Sequence, residues 1–192
     1  MIVASRNQHK LRELREILDS LELMPLSGDV ELPPEDGHTF ADNALAKARA
    51  AHDATGMVAI ADDSGTEARA LDGAPGVRSA RYAGPEASDE ENLDLLLAEL
   101  AGAADRSVAY VCVLAYVDEG GAEHLFEGRC QGELAREPRG SGGFGYDPAF
   151  VPDDTGPGDT RTMAELGADE KHAISHRGRA ARELARWLEA RP

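Results

Sequence analysis

The sequence predicts an α/β fold, and three observations lead there. A short apolar run, Ile2 to Ser5, leads directly into leucines at helical spacing, Leu11, Leu14, Leu18 and Leu21, as expected where a strand feeds a helix. Thr39 and Asp42 form a capping-box pattern that opens a second helix, which stops at Gly56, and a buried strand over Met57–Ala61 follows it. Val108 to Val117 is then a continuous apolar run, turned by Glu119-Gly120-Gly121 into a second strand.

Taken in order, the first helix starts near Gln8 or His9, so Ser5 to Lys10 is a strand-to-helix turn whose unpaired backbone N–H groups attract anions. Lys10 lies in that first turn, where the helix dipole does not favour a cation unless an anion is near. Pro33 to Gly37 is a loop. In the helix from Thr39 to about Thr55, Asn43 and Lys47 are one turn apart on one face. The strand over Met57–Ala61 ends in Asp62-Asp63-Ser64-Gly65, good turn chemistry. Thr66 to Pro85 is a long loop rich in Gly, Ala and Pro, of the kind that usually carries function. Ser88 and Glu91 cap a helix bearing Leu93, Leu96, Leu97 and Leu100. After Val108–Val117 come strands near His124–Gly128 and near Gln131–Leu134. A glycine-dense stretch, Gly140 to Gly145, follows, then a polar loop over Asp153–Asp159, a helical piece near Met163–Leu166 and a helix from about His176 to Ala190.

A length of 192 residues and 42% hydrophobic content fit one globular domain over residues 1–192, large enough to bury a core without staples. Cys112 and Cys130 have neither disulfide-framework nor metal-ligand spacing, and Cys112 reads as a buried reduced thiol. No signal peptide is visible and the longest apolar run is half a membrane span, so the expected location is cytoplasmic, with no membrane partner. A net charge of −16 argues against a nucleic-acid partner. An anionic small substrate would need a local cation cluster, a metal ion, or both. Only Lys10, Lys47 and Lys171 are lysines in a chain with 20 Lys and Arg residues, and Lys is a mobile point charge where Arg is a planar fork.

Asp62 and Asp63 are adjacent carboxylates at the expected C-terminal end of a buried strand, the edge where open α/β sheets bind ligands. They could hold Mg²⁺ with substrate phosphates, or one could act as general base. Glu35 and Asp36 add oxygen donors. The glycines from Gly140 to Gly145 could admit a ligand close to the backbone, but the Gly-Lys-Ser/Thr ending of a P-loop is missing. Phe144 and Tyr146 among them are candidates either for stacking on a base or for anchoring the loop. Lys171, His172, His176 and Arg177 could read carbonyl oxygens or grip phosphate. Asp62 to Thr66 lacks the second Asp of the aspartyl-nucleophile phosphatase motif, which sets that chemistry aside.

These segments together resemble the inosine/xanthosine triphosphate pyrophosphatase family through nearly the whole chain. The matching motifs, in order, are Ser5-Arg6-Asn7-Gln8-His9-Lys10, Thr39 to Ala48, Ala61 to Gly65 continuing through Gly73 to Tyr82, Gly142 to Pro148, and Lys171 to Gly178. Thr66 departs from the family's usual aliphatic residue. The resemblance implies an elongated mixed central sheet flanked by helices, two lobes with a cleft, and a homodimer. It implies Mg²⁺-dependent hydrolysis of ITP, dITP and XTP to the monophosphate and pyrophosphate.

By the same resemblance, Ser5, Arg6, Asn7, Gln8, His9 and Lys10 would hold the phosphates, and Glu35 and Asp63 the metal. Asp63 would be the proton acceptor, supported by Asp62, with Lys47 stabilising charge and Ser64 touching substrate. Phe144 would stack on the purine beside Gly145, Tyr146 and Asp147, and Lys171, His176 and Arg177 would meet the base. A donor facing the 6-oxo group would reject the 6-amino group of adenine. Two alternatives are a septum-formation-inhibitor-type pyrophosphatase acting on pyrimidine nucleotides and a nucleotide sensor without turnover.

Overall fold

The computed structural model describes residues 1–191, with six strands and five α-helices that alternate as far as the fourth strand. They are β1 (Ile2–Val3), α1 (Gln8–Ile17), β2 (Met24–Pro25), α2 (Phe40–Thr55), β3 (Ala59–Ala68), α3 (Asp89–Glu99), β4 (Ser107–Val117), β5 (Glu123–Leu134), β6 (Phe150–Pro152), α4 (Ala168–Ile174) and α5 (His176–Glu189). The sheet order is β2-β1-β3-β4-β5-β6. β1 pairs in parallel with both β2 and β3, with Ile2 opposite Met24 and Ala59. β5 and β6 are antiparallel, with Leu134 opposite Phe150. The sheet is therefore mixed, as the family resemblance implies.

The chain divides into two compact units. The first comprises Met1–Ser64, Cys112–Gly128 and the segment from His176 on; the second comprises Gly65–Val111 and Arg129–Ser175. In the first, Leu11, Leu14 and Leu18 of α1 and its C-cap pack with Ala180, Ala181 and Leu184 of α5 and with Ile60, Cys112 and Leu114 of the sheet. Full burial of a Leu such as Leu14 or Leu184 is worth about 1.5–3 kcal/mol relative to exposure. In the second, Leu93, Leu96 and Leu100 pack with Val108, Tyr110, Leu134, Tyr146 and Phe150, and the Tyr110 and Phe150 rings stack at 3.9 Å.

The sequence reading has no counterpart for β2, β6 and α4, and three elements it does give take a different form. The stretch from Asp62 to Gly65 is no turn: β3 continues to Ala68, placing both aspartates in mid-strand. Its local turn chemistry is overridden because β3 lies between β1 and β4, and pairing within the sheet outweighs weak β-propensity. The two strands expected around Arg129 are one strand, β5, with Phe126, Gly128, Cys130, Gly132 and Leu134 alternately buried; the two glycines hide the period in the sequence. The first helix ends at Ile17, with Leu18 as C-cap, so Leu21 lies beyond it. The expected caps are present: Thr39 and Asp42 form a capping box on α2, Ser88 and Glu91 another on α3, and Gly56 closes α2 in the left-handed region. Among the described residues no helix is long and apolar enough to cross a membrane.

Candidate active site

The first unit gathers its chemistry around β3. Because α2 is pinned at both ends, Asn43 and Lys47, four residues apart, project together towards Asp62 and Asp63. Asn43 Nδ2 donates to Asp63 Oδ2 at 2.9 Å, and its Oδ1 accepts from the Gly37 N–H at 2.8 Å, which ties the loop bearing Glu35 to the helix. Lys47 Nζ donates to the Asp62 carbonyl oxygen at 2.7 Å, pairs with Glu35 Oε1, and lies 3.7 Å from Asp63 Oδ1.

Neighbouring side chains on a strand point to opposite faces, and Asp62 accordingly meets a different set. Its Oδ2 accepts from Arg177 Nε at 3.1 Å and Nη2 at 3.0 Å, and lies 3.4 Å from Lys10 Nζ. Arg177 also pairs with Glu13 of α1 and donates to Ser64 Oγ at 2.9 Å. Asp62 Oδ1 is buried without a hydrogen-bond partner.

These surroundings drive the two aspartates apart. Burial would raise the Asp62 pKa, but Lys10, Arg177 and Lys47 outweigh it and hold the carboxyl below its usual range. Asp63 is shifted up: burial dominates over the attraction of Lys47 and Lys10, and Glu35 adds to the rise. Lys47 is held charged, because Asp62, Glu35 and Asp63 together outweigh its burial. Adjacent carboxylates with diverging proton affinities are the usual mark of divided roles.

The remaining phosphate-turn candidates are placed as follows. Asn7 caps α1, its Oδ1 accepting from the His9 N–H at 2.9 Å and the Lys10 N–H at 3.2 Å. Ser5 Oγ accepts from the Asn7 N–H at 3.2 Å. The turn's own side chains thus occupy N–H groups that the sequence reading offers to an anion. The Arg6 guanidinium donates to the carbonyls of Leu26, Ser27 and Val30, bracing the following loop. Gln8 and His9 are exposed, with His9 Nδ1 3.1 Å from Arg12. Lys10 of the turn reaches Asp62.

The sequence reading groups Lys171, His176 and Arg177 at the base. The structure puts Lys171 in α4 of the second unit, and His176 and Arg177 at the start of α5 in the first, both buried. Arg177 is 1% exposed and its guanidinium is engaged by Asp62, Glu13 and Ser64. Asn43 and Glu13 are the partners the sequence reading gave no role. Asn43 was signalled by its i, i+4 relation to Lys47, and Glu13 by its i, i+3 relation to Lys10 on α1.

In the second unit, Asp147 organises the glycine-dense loop. Its Oδ2 accepts from Lys171 Nζ at 2.7 Å and from the Phe144 N–H at 2.9 Å. Gly143 has φ +71, and a Cβ there would lie 1.9 Å from that same oxygen. Tyr146 is an anchor: its buried hydroxyl donates to the Ser79 carbonyl at 2.8 Å. Gly145 N–H donates to Asp89 Oδ2 at 2.9 Å. Phe144 remains partly exposed, with Lys171 Nζ 5.3 Å from its ring centre.

Among the described residues, no three His, Cys, Asp or Glu side chains come together as a ready metal cage. The donors at β3 nevertheless fit a hard divalent cation that relies on one or two carboxylates and takes its other oxygens from phosphate and water. Glu35 and Asp63 both already face the Lys47 ammonium.

A mixed six-stranded α/β sheet bearing a carboxylate–lysine centre defines the class of protein. A model of the Ham1 family matches residues 1–187. A dITP/XTP pyrophosphatase of Mycobacterium tuberculosis is 53% identical over 189 residues, covering 94% of this chain and 90% of the relative. A solved HAM1 protein from Coxiella burnetii is 44% identical with a TM-score of 0.88, over 99% of this chain and 98% of that one. A nucleoside-triphosphatase / dITP/XTP pyrophosphatase structure from Mycobacterium abscessus is 46% identical with a TM-score of 0.76, over 97% and 98%. The chain belongs to the Ham1 family.

Proposed function

We propose that this protein hydrolyses the non-standard purine nucleoside triphosphates ITP, dITP and XTP to the monophosphate and pyrophosphate. The observation that carries the reading is identity of about half, over nearly the full length, to relatives named dITP/XTP pyrophosphatase. The carboxylate–lysine centre supplies the chemistry such a reaction needs.

In this reading Asp63, whose proton affinity is raised, accepts the proton of the attacking water, a role typically worth about 10²–10⁴-fold in rate. Asn43 fixes the orientation of that carboxylate. Lys47 and Lys10 offset charge on the phosphate chain. Asp62 stays ionised and orients Lys10, and Arg177 positions Asp62; this replaces the base contact that resemblance alone assigns to Arg177. Asn7 and Ser5 shape the turn that presents Lys10. Glu35 and Asp63 would hold Mg²⁺, which supplies charge neutralisation at the phosphates and polarises water. For the base, the partly exposed Phe144 supports stacking, and Lys171 beside it offers a donor suited to a 6-oxo group. Gly145, Tyr146 and Asp147 shape that wall. A homodimer in the cytoplasm completes the proposal, with light scattering as the check on oligomeric state.

The test is product analysis. Purified protein given ITP and Mg²⁺ releases pyrophosphate. Orthophosphate as the product, or no turnover of ITP, dITP and XTP, would reject the reading.

A further inference from the structure

We infer that Lys47 is a placeholder for the divalent ion, so that the metal enters with the nucleotide and not before it. The inference rests on the reading of Glu35 and Asp63 as the metal ligands. Both carboxylates contact the same ammonium: Lys47 Nζ pairs with Glu35 Oε1 and lies 3.7 Å from Asp63 Oδ1. That ammonium is anchored by a 2.7 Å hydrogen bond to the Asp62 carbonyl, and its stem rises from the middle of α2. A dication bound by the two carboxylates must take over contacts that Lys47 now holds, since two cations in that space repel.

The protein side of the site is also short of ligands. Among the described residues no third His, Cys, Asp or Glu joins this pair as a metal group. Mg²⁺ without nucleotide, which dehydrates reluctantly, would exchange water for two carboxylates whose charge Lys47 already offsets in part. Phosphate oxygens change both sides of that balance. They complete the coordination of the ion, and they give the displaced ammonium a new anion to face. The lysine then passes from the carboxylates to the phosphate chain as the ion passes to the carboxylates.

The chain holds only three lysines, at positions 10, 47 and 171, so their side-chain ammonium signals are resolvable in protein labelled with ¹⁵N-lysine. The Lys47 signal, assigned by its loss in Lys47→Gln, stays in place on titration with Mg²⁺ alone. It moves when Mg²⁺ is added with the α,β-imido analogue of ITP. Movement with Mg²⁺ alone overturns the inference. In a second experiment Mn²⁺ binding is followed by electron paramagnetic resonance without nucleotide. Lys47→Gln binds Mn²⁺ about tenfold more tightly than the natural chain, or better, a tenfold gain being one step of about 1.4 kcal/mol. Adding Glu35→Gln removes that gain. Equal or weaker binding by Lys47→Gln overturns the placeholder role alone. A gain that survives Glu35→Gln puts the ion elsewhere and overturns the ligand assignment along with the inference.

Discussion

Arg177 and Asp62 stand 115 positions apart in the sequence and meet in a two-pronged ion pair, with Nε at 3.1 Å and Nη2 at 3.0 Å from one carboxylate oxygen. The pair sits inside the first unit with Glu13 on its far side. It fixes an ionised carboxylate next to one that binds protons more tightly, which is the electrostatic asymmetry a hydrolytic centre needs.

Replacing Arg177 by Ala should cost about 3–5 kcal/mol of stability, because it leaves Asp62 and Glu13 buried without their cation. Urea unfolding measures it. Pairing the change with Glu13→Gln should recover part of the loss. A variant of unchanged stability that merely accepts ATP would restore Arg177 to the base.

Asp63→Asn keeps the size of the side chain and removes its ability to take a proton. We expect kcat for ITP to fall by about 10²–10⁴-fold while circular dichroism and thermal unfolding report a folded protein. Activity near that of the natural chain would exclude Asp63 as the base.

Gly143→Ala and Gly145→Ala separate strain from collision. Both positions have positive φ, but a Cβ on Gly145 meets nothing within 4 Å, whereas one on Gly143 strikes Asp147 Oδ2. Gly145→Ala should cost about 1 kcal/mol. Gly143→Ala should cost more and should also raise KM for ITP, because the Asp147 contacts to Lys171 and Phe144 must shift. Equal KM values in the two variants would refute this role for Asp147.

Burial, reinforced by Asp62, pushes the Cys112 thiol up to about 12. The thiolate is the reactive form, so at pH 8 the folded protein should leave Cys112 unlabelled by iodoacetamide, and the rate should rise only as unfolding exposes it. Mass spectrometry of the labelled peptide gives the answer. Rapid labelling of native protein would contradict the buried placement.

Much of the site was legible because it is local. Helix caps at Thr39 and Ser88, the i, i+4 pair Asn43 and Lys47, and the strand-to-helix turn before Lys10 each depend on residues within a few positions. The motif order was enough to indicate the family. The glycine-dense loop was legible as a loop, although its organiser, Asp147, was not apparent until its contacts to Lys171 and Phe144 were seen.

Composition, caps, the main apolar strands and the identity of the chemical groups follow from the sequence alone. Tertiary structure decided where those groups point. Asp62-Asp63-Ser64-Gly65 has the local chemistry of a turn, yet β1 and β4 flank it and keep it in the sheet. Strand geometry then sends Asp62 towards Arg177 and Lys10, and Asp63 towards Asn43 and Lys47. Which cation each carboxylate meets depends on helices distant in sequence packing on opposite faces of one strand, and no local pattern encodes that choice.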